Sequence, residues 1–159
     1  RATLDGGLPQ RLTWTEVDAR IDGAVAELRA AGVGLGDSVR VQLASVVKLP
    51  ITLLACFRMG AVAVPFPVQH RAHELRHGFA LAGFKVFVTT DRTVRPDQFA
   101  AAAEALGPQV AILTPATESG PPLKPLAITP DTAATACWTS GTTSTPNGVP
   151  APTPHSPTS

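Results

Sequence analysis

The segment Trp138–Pro150, WTSGTTSTPNGVP, contains six Ser and Thr hydroxyls and two glycines, and it has no charged side chain. Small residues let backbone N–H groups face an anion, and hydroxyls add further donors, so the composition suits a phosphate-binding loop. It also suits a flexible linker. The loop is not a Walker A sequence, because Pro146 stands where the second glycine of that motif would be. The secondary structure on either side of the segment is needed to distinguish a phosphate-binding loop from a linker.

A second motif, HELRH at His73–His77, matches the H-E-x-x-H pattern of zinc peptidases. On a helix the two histidines would share one face and could bind Zn²⁺, with Glu74 as the general base. The extended pattern is absent, because Ala80 and Gly83 stand at the positions of its glycine and third histidine. We therefore expect a solvent-facing helix surface without zinc. His155, among prolines near the end, is expected to be solvated.

Helical and strand patterns alternate along the chain. A capping box at Thr13 and Glu16 begins an amphipathic helix that ends at Gly32. The same reading predicts further helices at 49–60, 71–83 and 97–107, and strands at 38–44, 61–66, 85–90, 109–114 and 132–138. Several strands are apolar runs typical of burial on both faces. The chain is therefore predicted to be an α/β protein with a layered, largely parallel sheet flanked by helices, and Trp138–Pro150 follows one of the strands.

Composition restricts the class of protein. The chain has 159 residues, 44% of them hydrophobic, which suffices for one domain with a buried core. A formal charge of +1 without basic runs excludes nucleic acid as the expected partner. The longest apolar run, from Leu49 to Phe57, is too short to span a membrane, and we expect a cytoplasmic protein. Cys56 and Cys137 are predicted to be core thiols. The start at Arg1 suggests a fragment or processed product.

The sequence TSGTTSTPNGV resembles T-S-G-T-T-G-x-P-K-G-V, the signature of the adenylate-forming superfamily of acyl-CoA synthetases, peptide-synthetase adenylation domains and luciferases. The residues that match are Thr139, Ser140, Gly141, Thr142, Thr143, Pro146, Gly148 and Val149. Upstream, LTWTEVDARIDGAVAELRAAGVGLGDSVRVQL, LLACFRMGAVAVPFPV and HELRHGFALAGFKVFVTT are similar to successive family segments. The resemblance divides the chain into a head (1–11), a partial N-terminal domain (12–149) and a Pro-rich tail (150–159), expected to be disordered.

The resemblance implies a two-step reaction in which a carboxylic acid and ATP form an acyl-adenylate, and a thiol then takes the acyl group. The thiol is coenzyme A or a carrier phosphopantetheine, and Mg²⁺ accompanies the nucleotide. The implied phosphate-binding residues are Thr139, Ser140, Gly141, Thr142, Thr143, Asn147 and Gly148. No catalytic residue and no metal ligand of the family is matched in this chain.

Two residues depart from the signature. Ser144 stands at a usual glycine and Asn147 at the usual lysine, so the loop lacks a cation that would bind phosphate. Beyond Val149 the similarity stops among prolines. We therefore expect a truncated segment of an acyl-activating ligase that is inactive alone. The alternative is a non-catalytic module of the same ancestry that binds a nucleotide or a protein, and a zinc peptidase is a distant third. An incomplete sheet predicts self-association through an exposed edge.

Overall fold

The structure is a computed structural model, and it describes residues 11–44, 47–69, 84–89, 104, 106, 110–115, 118–124, 126–129, 131–138 and 148–152. The elements, in chain order, are α1 (Trp14–Ala30), β1 (Ser38–Val41), α2 (Lys48–Met59), β2 (Val62–Pro65), β3 (Val86–Val88), β4 (Ala111–Leu113), β5 (Ala133–Trp138) and β6 (Gly148–Pro152). The alternation of helices and strands expected from the sequence is confirmed for these elements. The predicted helix at 71–83 and most of the one at 97–107 lie outside the described residues.

Helix α1 begins at the predicted capping box. The Thr13 hydroxyl accepts a hydrogen bond from the Glu16 N–H at 3.2 Å, and the Glu16 carboxylate accepts one from the Thr13 N–H at 2.7 Å. The helix ends before Gly32, whose φ of +85° suits a residue without Cβ. Its inward residues recur at helical spacing, so one stripe of the helix packs on the sheet. The buried apolar residues of this stripe are Ile21, Ala24, Val25 and Leu28.

The described strands form one sheet in the order β4-β3-β1-β2-β5-β6. The first five are mutually parallel, and β6 pairs antiparallel with β5. Alternation along β1 sends Val39 and Val41 into the core cluster shared with α1 and α2, while Phe87 and Val64 belong to a second cluster. The α/β architecture with a largely parallel sheet is therefore confirmed. In the described part β4 and β6 lie at the edges, and self-association through such an edge stays a prediction.

Strand β6 differs from the expectation of a disordered tail beginning at residue 150. Its pairing with β5 continues through Pro150 and Pro152, opposite Ala136 and Ala133. Proline cannot donate a backbone hydrogen bond, which confines it to positions such as an edge strand, and β6 is the edge strand of the described sheet. The proline-rich composition obscured this strand, because the pairing partner is supplied from elsewhere in the chain. Residues 153–159 lie outside the described residues.

The turn between α1 and β1 is held by Asp37. Its carboxylate accepts hydrogen bonds from the Lys85 ammonium at 2.9 Å and from the Gly34 N–H at 2.8 Å. The bond from Lys85, with a smaller contribution from Gly34, lowers the pKa of Asp37. A lowered pKa in the folded state means that the ionised carboxylate stabilises the fold above the unfolded pKa of about 3.9, and that this stability is lost as the pH falls through the folded pKa.

We expect Asp37→Asn to remove part of the acid sensitivity of the chain. The variant should be less stable than the wild type at pH 7, and the difference should shrink as the pH falls below about 4. Melting temperatures of both chains between pH 2.5 and pH 7 measure this. A constant difference across that interval would contradict the assigned role of the Asp37 carboxylate.

Candidate active site: the β5–β6 hairpin at the carboxyl edge of the sheet

Because β1 to β5 are parallel, their carboxyl ends meet at one edge of the sheet, called here the carboxyl edge. Strand β5 ends there at Trp138, and β6 starts at Gly148, which pairs with Trp138. Paired strands lie about 5 Å apart, so Trp138 and Gly148, the residues that flank segment 139–147, lie side by side at this edge. The hydroxyl-rich sequence therefore connects the two strands of a hairpin.

Only one of the predicted phosphate-binding residues lies within the described part of this hairpin. Gly148 is the first residue of β6. The other predicted phosphate-binding residues lie outside the described residues: Thr139, Ser140, Gly141, Thr142, Thr143 and Asn147. Their role as donors to phosphate stays a prediction. The paired strands on either side limit where the segment can begin and end.

Two buried polar side chains form hydrogen bonds between the segments that follow β1, β2 and β3 at the carboxyl edge. Gln42 follows β1 and donates from Nε2 to the Pro67 carbonyl oxygen at 2.9 Å. Thr89 follows β3 and donates from Oγ1 to the Gln42 carbonyl oxygen at 3.3 Å. Both residues are fully buried. These bonds fix the segments that follow three neighbouring strands relative to one another. They therefore make the carboxyl edge rigid. The sequence does not indicate these bonds, because Gln42 and Thr89 only lie within the predicted strands at 38–44 and 85–90.

The hairpin is also bonded to the sheet interior. Thr135 in β5 donates its hydroxyl hydrogen to the Ala63 carbonyl oxygen of β2 at 2.8 Å. Ala63 and Thr135 are the recorded register pair of these two strands. Sequence reasoning missed this residue because a threonine within TAATACW is typical of any strand. Its significance depends on which strand lies beside it.

Arg40 lies in β1 on the face opposite the two helices, and only 1% of it is exposed. Its guanidinium carbon is 5.4 Å from the centroid of the Phe66 ring and 5.1 Å from that of Phe84. Burial lowers the pKa of Arg40 to about 10, so the side chain remains cationic at neutral pH. The two rings favour this buried cation through their π faces.

The two cysteines differ from each other. Cys56 is buried in α2, as predicted, and burial raises the pKa of its thiol to about 12, which leaves it protonated and unreactive at neutral pH. The prediction of a core thiol is wrong for Cys137, which is exposed in β5. Alternation explains this, because the neighbouring Ala136 packs against the second core cluster and Cys137 lies on the other face.

The HELRH motif and His155 lie outside the described residues. Of the helices that the structure describes, none combines the length and apolarity required to cross a bilayer.

A family model described as "AMP-binding enzyme" matches residues 1–154. Among curated proteins, a feruloyl-CoA synthase of Amycolatopsis is 32% identical over 138 residues, which cover 87% of this chain and 28% of that protein. The salicyl-AMP ligase / salicyl-S-ArCP synthetase of Mycobacterium tuberculosis is 36% identical over 80 residues, or 50% of this chain and 14% of that protein.

Solved structures agree with this fold. An ATP-bound MatB from Rhodopseudomonas palustris superposes with a TM-score of 0.75 at 22% identity, covering 96% of this chain and 32% of that one. A Bacillus subtilis o-succinylbenzoate CoA synthetase superposes with a TM-score of 0.72 at 24% identity, covering 88% of this chain and 36% of that one. This chain thus spans about a third or less of each relative. The predicted boundaries at residues 12 and 149 stay a prediction. Because the family model matches nearly the whole chain, the chain belongs to the AMP-binding enzyme family.

Proposed function

We propose that residues 139–148 bind the β- and γ-phosphates of ATP, accompanied by Mg²⁺, in an acyl-activating ligase. One observation carries the proposal: a segment rich in hydroxyls and glycine joins β5 to β6 at the carboxyl edge of a parallel sheet, in a chain of the AMP-binding family. Ligands of α/β proteins commonly bind at this edge. Thr139, Ser140, Thr142 and Thr143 are the proposed hydroxyl donors, and Gly141 permits close approach of the backbone.

The proposed reaction of the whole protein has two steps. An oxygen of a carboxylic acid attacks the α-phosphorus of ATP, the bond to the β-phosphate breaks, and an acyl-adenylate and pyrophosphate form. A thiol, from coenzyme A or a carrier phosphopantetheine, then attacks the acyl carbon and AMP leaves. The names of the relatives support both steps, one being a salicyl-AMP ligase and the other a feruloyl-CoA synthase. ATP as the substrate makes the cytoplasm the proposed location.

This chain's own segment would act on the phosphates that depart. Hydroxyl and backbone N–H donors directed at the β- and γ-phosphates stabilise the negative charge of pyrophosphate as it leaves. A loop that holds only these two phosphates contributes more to binding than to the transition state at the α-phosphorus. The residues of this chain are thus proposed to position the nucleotide.

A second candidate function is a non-catalytic module that binds a nucleotide or a protein partner. The observation that favours it is Asn147, which places a neutral amide where the family signature has lysine. A charge-assisted hydrogen bond contributes about 1.5–3 kcal/mol, so its loss weakens phosphate binding by about tenfold or more. Weak retention of nucleotide without turnover is what this candidate predicts.

Isothermal titration of the 159-residue chain with magnesium pyrophosphate tests the proposal. We expect weak binding by the wild type and binding about tenfold or more tighter by Asn147→Lys, because the new ammonium supplies a charge-assisted bond. Asn147→Gln is the matched control, since it lengthens the side chain without adding charge, and its affinity should stay near that of the wild type. Absence of binding in all three chains would refute the proposed function.

A further inference from the structure

We infer that Thr135 is a positioning residue for the phosphate site, because its hydrogen bond to β2 fixes where the β5–β6 hairpin presents segment 139–147. The inference rests on the proposed function of that segment. Thr135 itself is three residues from the end of β5. At about 3.3 Å per residue, Thr135 is roughly 13 Å along the chain from the start of the segment at residue 139, too far for it to be a phosphate ligand.

The position of Thr135 in the hairpin carries the argument. Within the described sheet, β5 joins the hairpin to the four other parallel strands through its pairing with β2. The Thr135–Ala63 bond, 2.8 Å long, lies at the recorded register pair of that joint. Any slip of β5 along β2 would break this bond. The hydroxyl therefore selects one register of the hairpin on the sheet.

A β-bulge lies immediately before Thr135. Ala133 pairs with Pro152 and Thr135 pairs with Ala151, so Ala134 is an extra residue in β5. A bulge bends its strand and increases the local twist, and bulges often redirect residues next to active sites. From Thr135 onward the pairing is regular up to Trp138 and Gly148. The hydrogen bond thus holds β5 where its direction changes and where its regular approach to the site begins.

The hairpin has one attachment to the parallel strands of the described sheet. There β6 pairs only with β5, and β5 pairs with β2. Without the Thr135 hydroxyl, we expect the hairpin to populate further registers or tilts. Only the fraction in the binding-competent position contributes to the observed affinity, which falls in proportion.

Thr135→Val tests the inference, since valine keeps the shape of the side chain and removes the donor. Measured well below the melting temperature, its affinity for magnesium pyrophosphate should be about three- to tenfold weaker than that of the wild type, as expected for one lost hydrogen bond. Thr135→Ser keeps the hydroxyl and should bind within about twofold of the wild type. Thr52→Val is the matched control, because the buried Thr52 hydroxyl has no hydrogen-bond partner among the described residues.

A second control separates positioning from general destabilisation. Ile51→Val shortens a buried residue of α2 and should lower the melting temperature without changing affinity. Equal affinities of wild type and Thr135→Val, or an equal loss in Ile51→Val, would overturn the inference while leaving the proposed function intact. Absence of pyrophosphate binding by the wild type would instead refute the proposed function. If Thr135→Val does not fold, Thr135→Ala replaces it, and failure of both to fold would make Thr135 a structural residue and overturn the inference.

Discussion

Replacing Gly23 with alanine is expected to destabilise the fold by about 1–3 kcal/mol, although alanine is the better helix former. A Cβ at this position in α1 would lie 2.0 Å from the Glu118 carbonyl oxygen and 3.1 Å from the Gly120 nitrogen. Both are backbone atoms and cannot rotate away. A hydrogen bond of 2.8 Å from the Gly120 N–H to the Ala19 carbonyl oxygen holds this segment against α1.

The sign of the change in the free energy of unfolding distinguishes an effect of packing from an effect of helix propensity. Helix propensity alone predicts that Gly23→Ala stabilises α1 by about 0.5–1 kcal/mol. Relief of the clash requires segment 118–124 to move away from α1, which breaks the bond from Gly120 and withdraws Leu123 from the core cluster. The cost of this detachment exceeds the gain in propensity.

Urea unfolding of the purified chains measures the effect of Gly23→Ala. Gly120→Ala should cause a comparable loss, because its Cβ would lie 2.5 Å from the Gly23 nitrogen. Gly34→Ala is the control, since its Cβ would meet only the Asp37 carboxylate, at an ordinary 3.6 Å. A Gly23→Ala chain more stable than the wild type would show that segment 118–124 does not pack on α1.

The double substitution Thr142→Ala with Thr143→Ala is expected to weaken binding of magnesium pyrophosphate by about a hundredfold or more. Each hydroxyl is proposed to donate to a charged phosphate oxygen, and a hydrogen bond to a charged group contributes about 1.5–3 kcal/mol. Two such losses exceed 2.8 kcal/mol, the free energy of a hundredfold change. The melting temperature of each chain is measured as well, so that a loss of binding can be separated from a loss of folding.

Thr145→Ala is the matched control for the double variant. It removes a hydroxyl from the same segment at a position where the family signature accepts any residue, so binding should stay near that of the wild type. Titration calorimetry compares the three chains. Equal binding by all three would mean that the hydroxyls of segment 139–147 act only as part of a connection between strands.

Local signals in the sequence predicted much of the fold. The Thr13–Glu16 capping box and the apolar spacing placed α1 within two residues of its observed bounds, since a helix is specified by neighbours three and four positions apart. Helix α2 and the five parallel strands were likewise expected from their apolar patterns. The observed strands are shorter than predicted, β1 ending at Val41 rather than at residue 44. The chain beyond it is bonded to neighbouring segments by Gln42.

Features that depend on contacts between residues far apart in the chain could not be predicted from the sequence. The prolines of β6 predicted coil, and their place in an edge strand follows only once β5 is known to lie beside them. The close approach of Gly23 and Gly120 joins residues that show no mutual pattern. The candidate site was likewise predicted only in part. Its residue types identified the segment and the family, whereas the Thr135–Ala63 bond that supports it depends on strand order.

The central claim is that segment 139–148 holds phosphate at the carboxyl edge of the sheet, and an NMR titration tests it most directly. Amide chemical shifts of the ¹⁵N-labelled 159-residue chain would be followed as magnesium pyrophosphate is added. We predict saturable shifts concentrated at residues 139–148 and absent from the Asp37 turn at the opposite end of the sheet. Saturable shifts confined to other residues, or no shifts at any pyrophosphate concentration, would contradict the claim.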